Sequence, residues 1–257
     1  MQVFGISDVG KKRELNEDNF SVWQNENILI AVVADGMGGA RAGEVASSIA
    51  CRRIMENLQS EIACIASRSC DRVQLMLDID RAIDIACGNT NNEVFARSSS
   101  DDSLSGMGTT IVGCVILDNI IWAFNVGDSR LYHIGENGIS QLTVDHSFVQ
   151  ALLDSGKITA EEARSHPNRN IILRAVGIEK NVECDIIHMD LESGFYLICS
   201  DGLSNYFEEE KFLRIINSSR SLSEKTEALV EWANVSGGAD NITAVLIDTE
   251  ITREDGK

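Results

Sequence analysis

One segment near the N-terminus limits the folds open to this chain more than any other. The run ILIAVVA at 28–34 contains no polar residue. A strand with one face in water alternates apolar and polar side chains, whereas a strand covered on both faces is apolar throughout. The run therefore predicts a β-strand inside a sheet that is covered on both faces.

Further strands and helices are predicted in blocks along the chain. TTIVGCVILD and IIWAFNVGDS meet near Asp118 and Asn119, which predicts a hairpin, and LYHIG and QLT are expected to continue that meander. Apolar spacing predicts helices over about 43–58 and 71–97, and 208–237 is expected to be mostly helical. Three more apolar runs are predicted strands: FSVW at 20–23, FYLICS at 195–200 and ITAVLID at 242–248. Because the blocks show no regular βαβα alternation, the pattern favours the α+β class.

Composition narrows the classes of protein that the chain can belong to. Its 257 residues are 44% hydrophobic, which is enough for a sizeable core, and the formal net charge is −18. That charge repels the phosphates of nucleic acid and of anionic lipid, so we expect neither nucleic-acid nor membrane partners. No stretch approaches the ~18 apolar residues of a membrane span. The seven cysteines are scattered and odd in number, as expected of free thiols in a reducing cytoplasm.

No linker, repeat or low-complexity tract divides the chain, so we expect one domain over 1–257 and a monomer. The segment 146–170 carries the only proline and mixes helical and polar stretches. We expect it to form a lobe outside the sheet.

Three aspartates stand where apolar strands end or begin: Asp35 in VVADG, Asp201 in LICSDG and Asp240 in ADNITAVLI. If these strands are neighbours, the carboxylates converge at one rim, where their repulsion is tolerable only with cations between them. Oxygen ligands without His or Cys suit Mg²⁺ or Mn²⁺ rather than Zn²⁺, and the Gly36 carbonyl could join them. The alternative, that each Asp-Gly pair is simply a turn, stays open for any one of them.

Two more segments carry charged residues of interest. Arg13, Glu17 and Asp18 lie within six positions of one another in KKRELNEDNF. Arginine is shaped to hold a phosphate bidentately, and neighbouring acids would hold metal-bound water. A charged surface loop is the alternative. Asp128 in FNVGDSR also follows a buried apolar run.

Eight sequence blocks occur in an order that resembles the bacterial form of metal-dependent serine/threonine protein phosphatases of type 2C. They span about 5–248: GISDVGKKRELNEDNF, VVADGMGGARAGEVAS, GTTIVGCVI, FNVGDSRLY, LTVDHS, ILRAVG, LICSDGLSN and GADNITAVLI. The resemblance implies a four-layer sandwich of two antiparallel β-sheets flanked by helices, with a binuclear metal centre at one rim. It also implies that 146–170 is a flap beside the active site.

The resemblance further assigns roles to residues, in a centre of two Mg²⁺ or Mn²⁺ ions and a weaker third. Asp35 matches the bridging aspartate and Gly36 the glycine whose carbonyl binds the second metal. The other assignments are Asp201 and Asp240 as ligands of the first metal, Glu17 and Asp18 as acids that hold metal-bound waters, Arg13 as the phosphate-binding arginine, and Asp128 with Asp201 as ligands of the third metal.

One departure from the family concerns the proton donor. Eukaryotic members commonly have His where this chain has Met37, and none of the four His residues sits in a matching place. His146 is interpreted as structural. A water on the third metal is our candidate acid.

The expected reaction is hydrolysis of phosphoserine and phosphothreonine in proteins by direct attack of a metal-bridging water. Expected partners are phosphoproteins, including a cognate serine/threonine kinase or its targets in signalling. Two alternatives remain: a non-catalytic phosphoprotein-binding module of the same fold, and a small-molecule phosphatase with the same centre.

Overall fold

A computed structural model of the protein describes residues 1–38, 42–68 and 71–249. Residues 39–41 of the VVADGMGGARAGEVAS block and the last residues of the predicted domain, 250–257, lie outside this description. The strands are β1 Gln2–Asp8, β2 Asp18–Gln24, β3 Leu29–Met37, β4 Gly108–Thr109, β5 Ile111–Leu117, β6 Ile120–Val126, β7 Arg130–Gly135, β8 Gly138–Gln141, β9 Asp185–Asp190, β10 Phe195–Cys199 and β11 Ile242–Asp248. The helices are α1 Ala42–Ala66, α2 Arg72–Ser100, α3 Phe148–Asp154, α4 Ala160–Arg164, α5 Asp201–Ser204, α6 Glu209–Ile216 and α7 Leu222–Ser236.

The strands form two antiparallel sheets. The first has the order β1-β11-β10-β7-β8, and the second has the order β2-β3-β5-β6-β9, with the short strand β4 paired to β3. All pairings between these strands are antiparallel. The predicted α+β class and the sandwich of two antiparallel sheets are therefore confirmed.

The run at 28–34 is buried on both faces, as its composition predicts. Leu29, Ala31 and Val33 pack between the two sheets, together with Ile198 and Val245 of the first sheet. The alternate residues of β3 face the other way, into the cluster formed with α1 and α2. Helices α6 and α7 cover the outer face of the first sheet in the same manner. The molecule thus has helix, sheet, sheet and helix layers.

The hairpin predicted at Asp118 and Asn119 joins β5 to β6. Both residues have positive φ, 50° and 59°, which is the backbone of a type I′ turn and suits Asp and Asn. The expected continuation of this meander is wrong, because β7 pairs with β10 and β8 in the other sheet. The chain leaves the second sheet after Val126 and enters the first at Arg130, which places Asp128 at the crossing between the sheets.

The segment 146–170 contains the two short helices α3 and α4 and none of the sheet strands. Helix α4 begins with a capping box between Thr159 and Glu162. Within the described ranges, no helix combines the length and the apolar character needed to cross a membrane.

Candidate metal centre

Five aspartates lie at one rim of the sandwich. Asp18 and Asp35 are direct partners in the β2–β3 register. Asp201 opens α5 just after β10, and Asp240 stands just before β11. Asp128 comes from the crossing between the sheets. The three aspartates predicted at strand ends therefore lie at the same rim as Asp18 and Asp128.

Electrostatics shows that these carboxylates influence one another. The pKa of Asp35 is raised well above its ordinary range, first by burial and then by the negative charges of Asp18, Asp201, Asp128 and Asp240. Burial is also the main reason why the pKa values of Asp18 and Asp128 rise to about 7. Such shifts mean that cations of the protein, such as Arg130 beside Asp128, compensate the charged forms only in part.

Unpaired oxygens show what this rim is suited to bind. In the described part of the chain, Asp18 Oδ1, Asp128 Oδ1 and Asp201 Oδ1 are buried without a hydrogen-bond donor. A buried carboxylate oxygen without a partner is costly, and a divalent cation would satisfy it. Hard ions such as Mg²⁺ and Mn²⁺ prefer this all-oxygen set. The residues present therefore fit such ions.

The rim is not already closed around an ion. Among the described residues, no three His, Cys, Asp or Glu side chains surround one ion-sized position. A divalent cation between the carboxylates would offset their mutual repulsion.

Arg13 lies at the edge of the aspartate rim. Its Nη2 donates to Asp240 Oδ2 at 2.8 Å, and the side chains are 48% and 33% exposed. The guanidinium is therefore open to solvent on one side and held by a candidate ligand on the other. This is a suitable place for a group that binds an incoming phosphate.

Glu17 lies between Arg13 and the start of α1. Its backbone carbonyl accepts from Gly36 N–H at 3.1 Å, and its carboxylate lies against Gly43, where a Cβ would be 2.6 Å from Glu17 Oε1. Burial raises the pKa of Glu17, and the charge of Arg13 opposes that rise. The sequence-predicted pair Glu17 and Asp18 is thus brought to the same rim as the strand-end aspartates.

The two glycines that follow Asp35 and Asp201 have a structural reason that the sequence argument missed. A Cβ on Gly36 would lie 2.1 Å from Gly43 O, and one on Gly202 would lie 1.8 Å from Asn241 O. Both glycines are therefore needed for backbone packing, whether or not an ion also approaches. The Gly36 carbonyl remains a candidate ligand.

Asn241 is a site residue that sequence reasoning missed. Its Nδ2 donates to Val9 O and Leu15 O, both at 2.9 Å, and its Oδ1 accepts from Glu17 N–H at 2.8 Å. One buried amide thereby fixes the loop that carries Arg13 and Glu17. The only sequence signal was an Asn directly after Asp240, which is also common in turns.

Two threonines hold the backbone of Asp35 and were also missed. Asp35 N–H donates to Thr110 Oγ1 at 3.0 Å, and Thr109 Oγ1 donates to Asp35 O at 2.9 Å. Thr110 Oγ1 in turn contacts Ser129 Oγ at 2.8 Å, next to Asp128. Buried hydroxyl pairs therefore link the strand that carries Asp35 to the sheet crossing.

His146 and Met37 occupy positions that agree with the sequence interpretation. His146 Nδ1 accepts from Gly127 N–H at 3.0 Å, and Nε2 lies 3.2 Å from Asp185 Oδ2, so both ring nitrogens have protein partners. Met37 ends β3 opposite Gly108. A thioether at this position has no proton to donate.

The model of the family "Protein phosphatase 2C" matches residues 10–234 of the chain. The chain belongs to the protein phosphatase 2C family. A relative from Listeria monocytogenes serotype 4b, "Serine/threonine phosphatase stp", is 39% identical, and the alignment covers 96% of each chain. This phosphatase shares its fold with Stp1 from Staphylococcus aureus, at a TM-score of 0.88 and 30% identity over 97% of this chain and 95% of that one.

A third similar protein carries metal. The catalytic domain of the serine/threonine protein phosphatase PstP, solved in complex with two manganese ions, is 33% identical with a TM-score of 0.78, covering 96% of this chain and 97% of that one. The chain is thus a metal-dependent serine/threonine protein phosphatase, and its substrates are phosphoproteins. No observation favours the non-catalytic alternative.

Proposed function

We propose that this phosphatase works through the aspartate rim, with two divalent ions held by Asp35, Gly36, Asp201 and Asp240. The observation that carries the proposal is the convergence of four negative charges on Asp35, beside buried carboxylate oxygens that have no donor. When bound, Mg²⁺ or Mn²⁺ supplies a nucleophilic water at neutral pH and neutralises charge on the phosphoryl group. The remaining acids, Glu17 and Asp18, would hold waters bound to the ions.

Arg13 is proposed to orient the substrate phosphate. Its guanidinium can donate two parallel N–H bonds to phosphate oxygens while Asp240 holds it on the opposite side. Such contacts would fix the orientation of the phosphate, and positioning supplies much of the catalysis in phosphoryl transfer. Asn241 fixes the loop on which Arg13 stands.

The leaving serine or threonine alkoxide needs a proton that Met37 cannot give. We assign the site of this acid to Asp128 and Asp201, which with a weaker third ion would hold an acidified water. Both carboxylates have an unpaired buried oxygen, and the charge of Asp201 contributes to the raised pKa of Asp128.

The proposal extends to the cellular setting. A cognate serine/threonine kinase, or the proteins that it phosphorylates, would supply the substrates, because dephosphorylation needs a matching phosphorylation reaction. A cytoplasmic location agrees with seven cysteines in the sequence, of which the six within the described ranges are free thiols.

Chelation and one substitution test the metal proposal. We expect EDTA to abolish hydrolysis of phosphoserine and phosphothreonine peptides and Mn²⁺ to restore it, with phosphotyrosine peptides poor substrates throughout. Asp35→Asn should lower kcat/KM by at least about 10³-fold, because the ions supply several kcal/mol of transition-state stabilisation. The matched control is Asp118→Asn at the β5–β6 hairpin, which should be fully active. Persistent activity after exhaustive chelation, or a fully active Asp35→Asn, would contradict the proposal.

A further inference from the structure

Asp18 is held by a hydroxyl group that belongs to the other sheet. Ser200 Oγ donates to Asp18 Oδ2 at 2.7 Å, and the backbone N–H of Thr243 donates to Ser200 Oγ at 3.0 Å. Ser200 and Thr243 are both 0% exposed, and Asp18 is 7% exposed. Ser200 lies at the end of β10 and Thr243 in β11, whereas Asp18 begins β2.

The surrounding hydrogen bonds connect this contact to both sheets. Ser200 Oγ accepts from Thr243 N–H at 3.0 Å, so its own proton is free for Asp18. Ser7 Oγ accepts from Asn16 Nδ2 at 2.8 Å and lies 2.7 Å from Thr243 Oγ1. The Thr243 hydroxyl is thereby linked through Ser7 to Asn16. Asn16 Oδ1 closes the ring by accepting from Asp18 N–H at 3.2 Å.

Ser200 also departs from the usual behaviour of a serine at its position. It is the N-cap residue of α5, yet its side chain makes no capping hydrogen bond to that helix. N-cap serines ordinarily accept from a backbone N–H of the first turn. Here the hydroxyl is directed at a carboxylate of the neighbouring sheet instead.

We propose that Ser200 and Thr243 are positioning residues that orient Asp18 for the metal centre. The Ser200 hydroxyl bonds Asp18 Oδ2 and leaves Oδ1 without a donor. Thr243 holds the Ser200 oxygen through its backbone N–H, and its hydroxyl contacts Ser7, which accepts from Asn16. The inference rests on the proposed function, because it assumes that Asp18 serves the metal centre. It adds that the sheet carrying Asp201 sets the orientation of an acid on the opposite sheet.

Calorimetric titration of the full-length protein with Mn²⁺ alone tests the inference. Removing a partner that orients a ligand typically weakens metal affinity by about 10- to 100-fold, and we expect Ser200→Ala to fall at the lower end of that range. Thr243→Val keeps the side-chain shape and should also weaken binding, whereas Thr243→Ser keeps the hydroxyl and should bind normally. Ser204→Ala is the matched control, since it removes a buried hydroxyl of the same helix outside this network.

A double-mutant cycle separates this inference from the proposed function. If Ser200 acts through Asp18, Ser200→Ala should have no further effect in an Asp18→Asn protein. A full effect in that background, or unchanged affinity in Ser200→Ala while Asp18→Asn binds weakly, would overturn the inference alone. Unchanged affinity in Asp18→Asn would instead overturn the proposed role of Asp18. If Ser200→Ala fails to fold in EDTA, the Mn²⁺ affinities of Thr243→Val and Thr243→Ser test the inference in its place. Weaker binding by Thr243→Val alone supports the inference, and equal affinities overturn it.

Discussion

Asp128 and Asp145 are both 8% exposed, yet their hydrogen-bond partners differ. Asp145 accepts from Arg130 Nε at 2.9 Å and Nη2 at 2.7 Å, and from Gln141 Nε2 at 3.0 Å. Asp128 lies at the aspartate rim with Oδ1 unpaired. Burial alone therefore does not distinguish a structural carboxylate from a candidate metal ligand. The difference is that donors of the protein reach both oxygens of Asp145 and leave one oxygen of Asp128 unpaired.

The largest expected effect is the loss of the Asp145 ion pair. Asp145→Asn leaves Arg130 without its bidentate partner and should lower the free energy of unfolding by about 3 kcal/mol, the low end for a buried pair because Arg130 is 29% exposed. Asp128→Asn removes a charge that is compensated only in part and should leave the metal-free protein at least as stable. Urea denaturation in EDTA measures both variants. Equal loss of stability in the two variants would contradict the view that Asp145 stabilises the fold and Asp128 does not.

The aspartate rim should also make the metal-free protein sensitive to pH. The pKa values of Asp18 and Asp128 rise from 3.8 to about 7, so the folded protein keeps protons that the unfolded chain has lost. Stability in EDTA should therefore fall as pH increases between these values, by about 1.4 kcal/mol per pH unit for each retained proton. Thermal unfolding from pH 5 to 7 measures the slope. Asp128→Asn should flatten it, and a slope of opposite sign would contradict this account.

Asp128 is expected to matter most for substrates with a poor leaving group. Asp128→Asn should slow hydrolysis of a phosphothreonyl peptide on the order of 10²-fold, a typical contribution of proton donation. Hydrolysis of p-nitrophenyl phosphate should change much less, because nitrophenolate leaves without a proton. The two kcat values at saturating Mn²⁺ provide the comparison. Equal losses would mean that Asp128 serves the integrity of the centre rather than proton transfer.

Arg13 and Asp240 form an ion pair that differs from the Arg130–Asp145 pair in its exposure to solvent. Arg13→Ala should lower kcat/KM for phosphopeptides by about 2 kcal/mol, the value of a charge-assisted contact to phosphate. Stability and Mn²⁺ affinity should change little, since an exposed pair contributes at most about 1 kcal/mol. Lys12→Ala removes a neighbouring exposed charge and serves as the control. A normal kcat/KM in Arg13→Ala would mean that Arg13 is only a surface charge and does not bind the substrate phosphate.

Strand and helix predictions succeeded where apolar runs were long. The continuous run of β3 is buried on both faces, and the turn at Asp118 and Asn119 is where the hairpin was predicted. Assignment of β7 to the same meander failed, because a short alternating strand carries no information about which of two sheets it joins. The strand at 185–190 was also missed, since its residues are only partly buried at the edge of the second sheet.

By itself the sequence determined the class of fold and the three strand-end aspartates Asp35, Asp201 and Asp240, because apolar runs force strands and place the aspartates beside them at strand ends. Only the tertiary structure decided which hydroxyls and amides hold the acids of the rim. Ser200, Thr243 and Asn241 are small polar residues whose partners lie far away in the chain. A hydrogen bond depends on the distance and direction between two groups in space, and the local pattern of residues predicts neither.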